Sequence, residues 1–348
     1  MLGRRLFCVY FLPVHTLQIC RMEKLSMSVK TINALMKYLR DIKHISIGGS
    51  TQKAKLRRIG YYHGYKGYRF FGKPSKKLAY TDFEQLISVY NFDMQVKSIL
   101  YSPLMHIETA LKNYVLEEIL NVSNSDQFTD IYATVLNHHS DYRRSDGEYK
   151  KKLAKELSVR NKIYSVLSRD YGSKLLVQHF YEKDIPVPIW AIFEIISLGE
   201  FGTLLSCVNN ATAKRISNSV GLNSAFDADG RLLEKIVFAL KDLRNAVAHN
   251  DPVFDIRFKT SSPNMRIAKL LANETGVPNI TFNTLTDYVV LMGYLMHCFG
   301  YPKTETKKLI SDYTSCCEEF RKKAPVQLYS TIVHTDTRSK MNQLATYV

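Results

Sequence analysis

Residues 240–252 read LKDLRNAVAHNDP and carry an arginine, Arg244, five positions before a histidine, His249. Pro252 disfavours the α conformation in the residue before it, so this Arg–His stretch is predicted to be a helix that ends at His249 or Asn250. A guanidinium can hold a phosphate, and an imidazole can transfer a proton. The stretch therefore contains the groups needed to cut RNA without a metal ion.

Helical periodicity places Arg244 within an apolar face. At about 100° per residue, the arginine lies roughly 20° from Leu233, the reference position of that face. The other apolar members lie within roughly 60° of the reference: Ile236, Val237, Leu240 and Val247. Asn245 and His249, four residues apart, lie together off this face. Because burying an unpaired arginine costs several kcal/mol, Arg244 is expected to have a carboxylate partner.

Two glutamates occupy comparable positions on other predicted helices. Glu108 follows Ser102-Pro103, which is typical of a helix start, and lies about 40° from the centre of an apolar stripe. Glu194 follows Pro188 and lies on the same side of its predicted helix as Trp190. We expect both carboxylates and Arg244 to form one inward-facing polar cluster. The pattern leaves open whether that cluster is a structural ion pair or part of an active site.

The spacing of the Arg–His stretch is weakly specific when taken alone. Arg58 and His63 repeat it across Gly60, and we interpret that repeat as chance. The structural alternative for the first pair is a buried Arg–carboxylate bond that fixes helix packing, with His249 as a cap of the helix end.

Positive charge is concentrated at the amino terminus. Residues 1–80 contain 17 Lys/Arg and 2 Asp/Glu, which accounts for +15 of the net +16 of the chain. Aromatic residues are interleaved with these cations, an arrangement that suits stacking of bases and contact with phosphates. The candidate RNA-binding residues are Arg57, Arg58, Tyr61, Tyr62, Lys66, Tyr68, Arg69 and Lys73. The alternative is that the aromatics belong to the core and the lysines to a solvated face.

Several classes of protein are disfavoured by the sequence. Six cysteines without a Cys-x-x-Cys pair argue against a zinc site and fit a reducing cytoplasm. Glycine-rich phosphate loops and serine elbows are absent from the sequence, so no cofactor and no metal are expected. The apolar run near the amino terminus is too short to span a bilayer, and no membrane partner is expected. His138 and His139, near Asp141, are interpreted as part of a solvated loop, with a metal site as the alternative.

The predicted fold class is all-α, with four parts along the chain. Residues 1–26 are interpreted as an extension with no predicted function, with Met22 or Met27 as candidate starts, and 27–80 as a basic, aromatic-rich segment. Residues 81–323 are predicted to form the helical core, and 324–348 a polar tail.

Four segments, taken in order, resemble the AbiD/AbiF-like Abi family of bacterial abortive-infection proteins, which belong to the HEPN superfamily of helical RNases and RNA-binding proteins. They span about residues 28 to 255, and only their order makes them specific. The segments are Leu56–Tyr62 with Gly67–Phe70, Phe83–Asp93 with Ile107–Lys112, Pro188–Leu204, and Leu243–Asn250.

The resemblance implies a HEPN-like helical bundle with additional N- and C-terminal helices. It implies Arg244, Asn245 and His249 as the catalytic signature, with Glu108 and Glu194 as inward acidic positions. Lys112 stands where relatives often carry arginine, so it joins the RNA-binding candidates, and His63 departs from the family in the same way.

The implied activity is metal-independent RNA cleavage in phage defence, giving 2′,3′-cyclic phosphate and 5′-hydroxyl ends. HEPN RNases typically pair two such motifs, so the resemblance implies a composite site in a homodimer. It also implies a neutralising partner, either an antitoxin or a structured non-coding RNA. The alternative is a non-catalytic RNA-binding or regulatory protein of a toxin–antitoxin-like system.

Overall fold

The computed structural model describes residues 31–348, and within that range the predicted all-α class is confirmed. Bridge pairing between extended residues in this range is limited to three isolated bridges, and no strand is formed. The predicted extension at residues 1–26 lies outside the described residues. None of the helices in residues 31–348 has the length and apolar character needed to cross a lipid bilayer.

Fifteen α-helices account for most of residues 31–348, and a π-helical segment, Gly60–Lys66, follows the second of them. In chain order the helices are α1 Ile32–Asp41, α2 Gly49–Ile59, α3 Phe83–Ser123, α4 Phe128–Thr134, α5 Gly147–Asp170, α6 Leu175–Tyr181, α7 Ile189–Ile195, α8 Leu198–Leu205, α9 Asn210–Ser219, α10 Leu232–Ala248, α11 Met265–Thr275, α12 Leu285–Cys298, α13 Lys303–Lys323, α14 Val326–Ile332 and α15 Thr337–Tyr347.

Helix α3 is the central element and runs for 41 residues. It contacts α7, α9, α10, α12 and α13, so it forms the common wall of the core. The prediction of a helix start at Ser102-Pro103 is wrong, because Pro103 lies inside this helix. A proline removes only one backbone donor, and the buried stripe continues across it through Leu100 and Leu104.

The basic segment before α3 packs into the same core as the rest of the chain. Gly60 has a φ of 73°, a value that favours glycine, and it turns the chain from α2 into the π-helical segment. Gly64 then lies so close to Ile59 that an added Cβ would come within 2.5 Å of the isoleucine side chain. The π-helical segment therefore packs directly against Ile59, the last residue of α2.

The predicted polar tail at residues 324–348 is instead two helices that contribute to the core. Met341 and Leu344 of α15 are buried, and a Cβ on Gly293 of α12 would lie 2.9 Å from Leu344. Lys340 is also buried, because its ammonium is 2.7 Å from the carboxylate of Asp287. The prediction failed because a charged residue such as Lys340 is normally taken as a sign of a solvated segment. Here the ion pair with Asp287 allows the lysine to be buried.

The helix predicted after Pro188 is divided in two. Ile196 adopts extended backbone and ends α7, and Ser197 caps α8 through a capping box with Glu200. Helix α7 is therefore an independent element of seven residues, packed between α3 and α5.

Candidate functional site

The Arg–His stretch forms the last turns of α10, as its sequence predicts. The helix ends at Ala248, and the backbone N–H of His249 donates to the carbonyl of Asn245 at 2.9 Å. Asn250 takes a left-handed conformation with a φ of 60°, so the chain leaves the helix directly after the histidine.

Arg244 pairs with Glu108 of α3. The arginine Nε donates to Glu108 Oε2 at 2.9 Å, and Lys112 Nζ lies 3.2 Å from Glu108 Oε1. Lys112 also donates to the carbonyl of Ile196 at 2.9 Å, so it ties α3 to the end of α7. One buried carboxylate thus holds two cations, which supplies the partner expected for an arginine in an apolar face. The Nη nitrogens of Arg244 make no hydrogen bond to any residue within 31–348.

A cavity of about 360 Å³ opens beside this ion pair. Glu194 lines it but is exposed, so the predicted inward position of this glutamate is wrong. The reason is that α7 buries Ile189, Ile192 and Phe193, so the side that carries Trp190 and Glu194 is the exposed one. Trp190, on the same helix, is 41% exposed and also lines the cavity. The cavity is lined by Met105, Glu108, Thr109, Lys112, Asn113, Leu116, Trp190, Phe193, Glu194 and Arg244.

The other two signature residues lie outside this cavity. His249 is exposed, and its imidazole makes no hydrogen bond or ion pair to the described part of the chain. Asn245 is half-buried on the same turn. Five residues of α-helix separate two positions by about 7.5 Å along the axis and roughly 140° around it. A single chain therefore presents Arg244 and His249 on different sides of one helix end.

A second polar cluster fixes the chain immediately after His249, and sequence reasoning missed it. Lys97 of α3 donates to Asn250 Oδ1 at 2.6 Å and lies 2.9 Å from Asp93. The fully buried Asp93 carboxylate also accepts the backbone N–H groups of Val253 and Phe254 at 2.8 and 2.7 Å. The signal was present in the sequence as an acid and a lysine at i and i+4, Asp93 and Lys97.

His63 contacts this cluster from the π-helical segment. Asn250 Nδ2 is 3.3 Å from His63 Nε2, which is consistent with a hydrogen bond donated to the imidazole. His63, the histidine of the second Arg-x4-His repeat, therefore lies beside Asn250 at the end of the Arg–His stretch. The basic amino-terminal segment and the end of α10 are consequently one continuous surface.

The RNA-binding candidates divide into exposed and buried residues. Tyr68 is fully buried and donates to Asp93 at 2.6 Å, so its ring cannot stack on a base and its assignment to RNA is wrong. Burial raises the pKa of Tyr68 well above its usual range, and the Asp93 carboxylate raises it further. Tyr61 stacks on Tyr65 at 5.5 Å, and Tyr62 is exposed. Arg57, Arg58 and Lys73 are exposed, Lys66 and Arg69 are half-buried, and Lys112 belongs to the Arg244 cavity.

The interpretation of His138 and His139 as a solvated loop is wrong. His138 is buried with Nδ1 3.2 Å from the carbonyl of Ser206, and burial lowers its pKa to about 4, aided by nearby Arg231 and Lys152. His139 pairs with the buried Glu156. In the described range no group of three or more metal-ligating side chains comes together.

The comparison with known proteins gives one result. No curated protein and no solved structure matches the sequence significantly. A family model for Abi-like proteins matches residues 54–255, more than half of the chain. The match includes the second half of α2 and all of α3 and α10, and its bounds contain every residue of the two clusters. The chain belongs to the Abi-like protein family.

Proposed function

We propose that this protein is a phage-defence protein that cleaves RNA without a metal ion, through a composite site in a homodimer. Membership of the Abi-like family supports a role in abortive infection. The observation that carries the nuclease proposal is a pair of groups at one helix end that have no partner among residues 31–348: the Nη nitrogens of Arg244 and the exposed imidazole of His249. Such groups are the ones that phosphate binding and proton transfer require.

The chemistry follows from these groups. The 2′-oxygen of a ribose loses its proton and attacks the adjacent phosphorus, and the 5′-oxygen takes a proton and leaves. His249 transfers protons, and the Nη nitrogens of Arg244 stabilise the charge on the non-bridging oxygens. Glu108 orients the guanidinium through Nε, and Asn245 positions the phosphate. The products are a 2′,3′-cyclic phosphate and a 5′-hydroxyl.

The two-chain arrangement is supported by the geometry of one chain. Because Arg244 and His249 leave α10 in different directions, an arginine and an imidazole are most readily brought to one phosphate by a second copy related by a two-fold axis. The site would function in the cytoplasm, and a nuclease of this kind requires a neutralising antitoxin or structured RNA.

A second function is favoured by one observation. Glu108 pairs with both Arg244 and Lys112 and reduces their combined charge from +2 to +1, which lowers the attraction of the cavity for phosphate. If Arg244 and Lys112 stay paired with Glu108, the protein would bind RNA or act as a regulator without cleaving it.

Cleavage of labelled RNA in EDTA separates the two functions. We expect the wild-type chain to cut RNA and His249→Ala or Arg244→Ala to cut far less while still binding it. The nuclease proposal fails if wild type and variants cut equally while binding is intact. A mixture of the two inactive variants, refolded together, should regain activity, since a mixed dimer has one intact arginine and one intact imidazole. An inactive mixture that still dimerises would contradict a composite site.

A further inference from the structure

The cavity beside Arg244 has an aromatic side that the cleavage chemistry does not use. Trp190 is 41% exposed at its mouth and contacts Phe180 edge-to-face, with ring centroids 5.5 Å apart. Phe193 and Met105 complete this apolar side. A large exposed aromatic side chain next to cationic groups is typical of sites that stack nucleic-acid bases.

Polar lining residues come from α3. Thr109 and Asn113 lie four residues apart on this helix, on one face, and both line the cavity. Thr109 Oγ1 donates to the carbonyl of Met105 at 3.1 Å, so its oxygen remains able to accept. The amide of Asn113 is exposed and makes no hydrogen bond to the described residues. An amide offers both a donor and an acceptor, as the edge of a nucleobase requires.

The size of the cavity fits one nucleotide. Its volume of about 360 Å³ lies at the lower end of the range of small-molecule pockets, about 300–1,000 Å³. Arg244 lines the same cavity as Trp190, and its guanidinium suits a phosphate attached to a stacked base. The negative charge of Glu194 at the cavity mouth repels a second phosphate group there.

We infer that this cavity binds a single unpaired nucleotide, with its base stacked on Trp190, its base edge hydrogen-bonded to Asn113 and its phosphate held by Arg244. This inference rests on the proposed function for the choice of RNA. It specifies the substrate class as single-stranded RNA, because a base inside a duplex cannot leave its stack without a cost of a few kcal/mol. Trp190 and Asn113 then determine which nucleotide lies beside the scissile bond.

Trp190 is the single tryptophan of the chain, so its fluorescence reports on this cavity directly. The full-length protein is titrated with 5′-AMP, with ribose 5-phosphate, with a single-stranded oligonucleotide of non-cleavable 2′-O-methyl RNA, and with its duplex. We expect 5′-AMP and the single strand to quench the fluorescence, and ribose 5-phosphate and the duplex to leave it unchanged. Quenching by 5′-AMP without quenching by the single strand would mean that free nucleotides are the ligand, and would overturn the RNA inference.

Variants test the two contacts. Asn113→Ala is expected to weaken quenching by about 5-fold, the loss of one hydrogen bond, whereas Asn342→Ala, an exposed asparagine on α15, should match wild type. Trp190→Ala is expected to weaken binding of the oligonucleotide by about 10-fold, and Trp190→Phe to retain most of it, with circular dichroism confirming that each variant folds. Unchanged binding in Asn113→Ala and folded Trp190→Ala would overturn the inference.

These experiments distinguish failure of the nucleotide-binding inference from failure of the nuclease proposal. Quenching by the single strand in a protein that cuts no RNA supports the nucleotide site and removes only the nuclease. Cleavage that proceeds unchanged in both Trp190→Ala and Asn113→Ala leaves the nuclease in place and overturns the nucleotide site.

Discussion

Asp93 and Lys97 form a buried ion pair of 2.9 Å, one turn apart on α3, in the middle of a helix otherwise packed with apolar residues. The aspartate also accepts the hydroxyl of Tyr68, and the lysine also donates to Asn250. Two elements far apart in sequence, the segment before α3 and the chain after α10, are thereby fixed to the same turn of helix.

Asp93→Ala is expected to destabilise the protein by about 3–5 kcal/mol, because it leaves a buried ammonium and three other donors without their acceptor. The free energy of unfolding in urea measures the effect. Asp312→Ala is the matched control, since Lys308 and Asp312 form an i,i+4 pair of 2.8 Å at the surface. An exposed pair of this kind contributes less than about 1 kcal/mol. Equal losses in the two variants would contradict the role of the buried cluster.

Glu108→Gln is expected to tighten RNA binding and to slow cleavage. Removing the carboxylate charge leaves Arg244 and Lys112 free to meet phosphate, so the slope of log affinity against log salt should steepen by about 1. Cleavage should fall by about 10- to 100-fold, since the guanidinium loses the charged anchor that orients it.

Binding over a series of salt concentrations and single-turnover cleavage measure the two effects. Glu117→Gln makes the same charge change at an exposed position of α3 and should alter neither. A weaker affinity in Glu108→Gln would show that the carboxylate does not oppose phosphate binding.

Arg57→Ala, Arg58→Ala and Lys73→Ala are each expected to weaken RNA binding uniformly across sequences. All three side chains are exposed on the basic amino-terminal segment, and the loss of one phosphate contact lowers the salt slope by about 1. Lys307→Ala removes one exposed charge from α13 and serves as control. If all four variants bind alike at every salt concentration, RNA does not contact this segment.

The stability of the fold is expected to decrease as the pH falls from about 6.5 toward about 4. Burial lowers the pKa of His138 from 6.5 to about 4, so the unfolded chain binds a proton in this interval that the folded chain does not bind. Arg231 and Lys152 oppose protonation, and Asp141 favours it. The contribution of this residue, fully present at neutral pH, falls by up to about 3 kcal/mol.

Urea unfolding of wild type and of His138→Gln across this interval isolates the residue. The difference in unfolding free energy between the two should shrink as the pH falls, because only the wild type carries the titrating group. A difference that stays constant with pH would show that His138 titrates alike in both states.

The sequence predicted the contacts that follow from helical periodicity. Arg244 in an apolar face required an acid, and Glu108 satisfied the same periodicity on its own helix, so their pairing follows from the spacing of the residues. The end of α10 at His249 follows from a similarly local rule, since a proline three residues later restricts only its neighbours.

The rest depended on contacts between distant segments. Pro103 lies within α3 because packing on both sides of it outweighs one lost backbone bond. Tyr68 could not be told from its exposed neighbour Tyr62, since only the position of Asp93 decides that its hydroxyl is satisfied inside. Residues 324–348 were predicted to be a polar tail for a similar reason. Only the position of Asp287, far away in sequence, shows that Lys340 is buried.

The end of α10 contacts α3 on both sides of His249. Arg244, before the histidine, binds Glu108, and Asn250, after it, binds Lys97. The angle between Arg244 and His249 is therefore already set in the isolated chain and does not await a ligand. An inhibitor of such a protein gains nothing by bending this turn. Under the proposed function, an inhibitor would instead act by covering the two side chains or by preventing the dimer from forming.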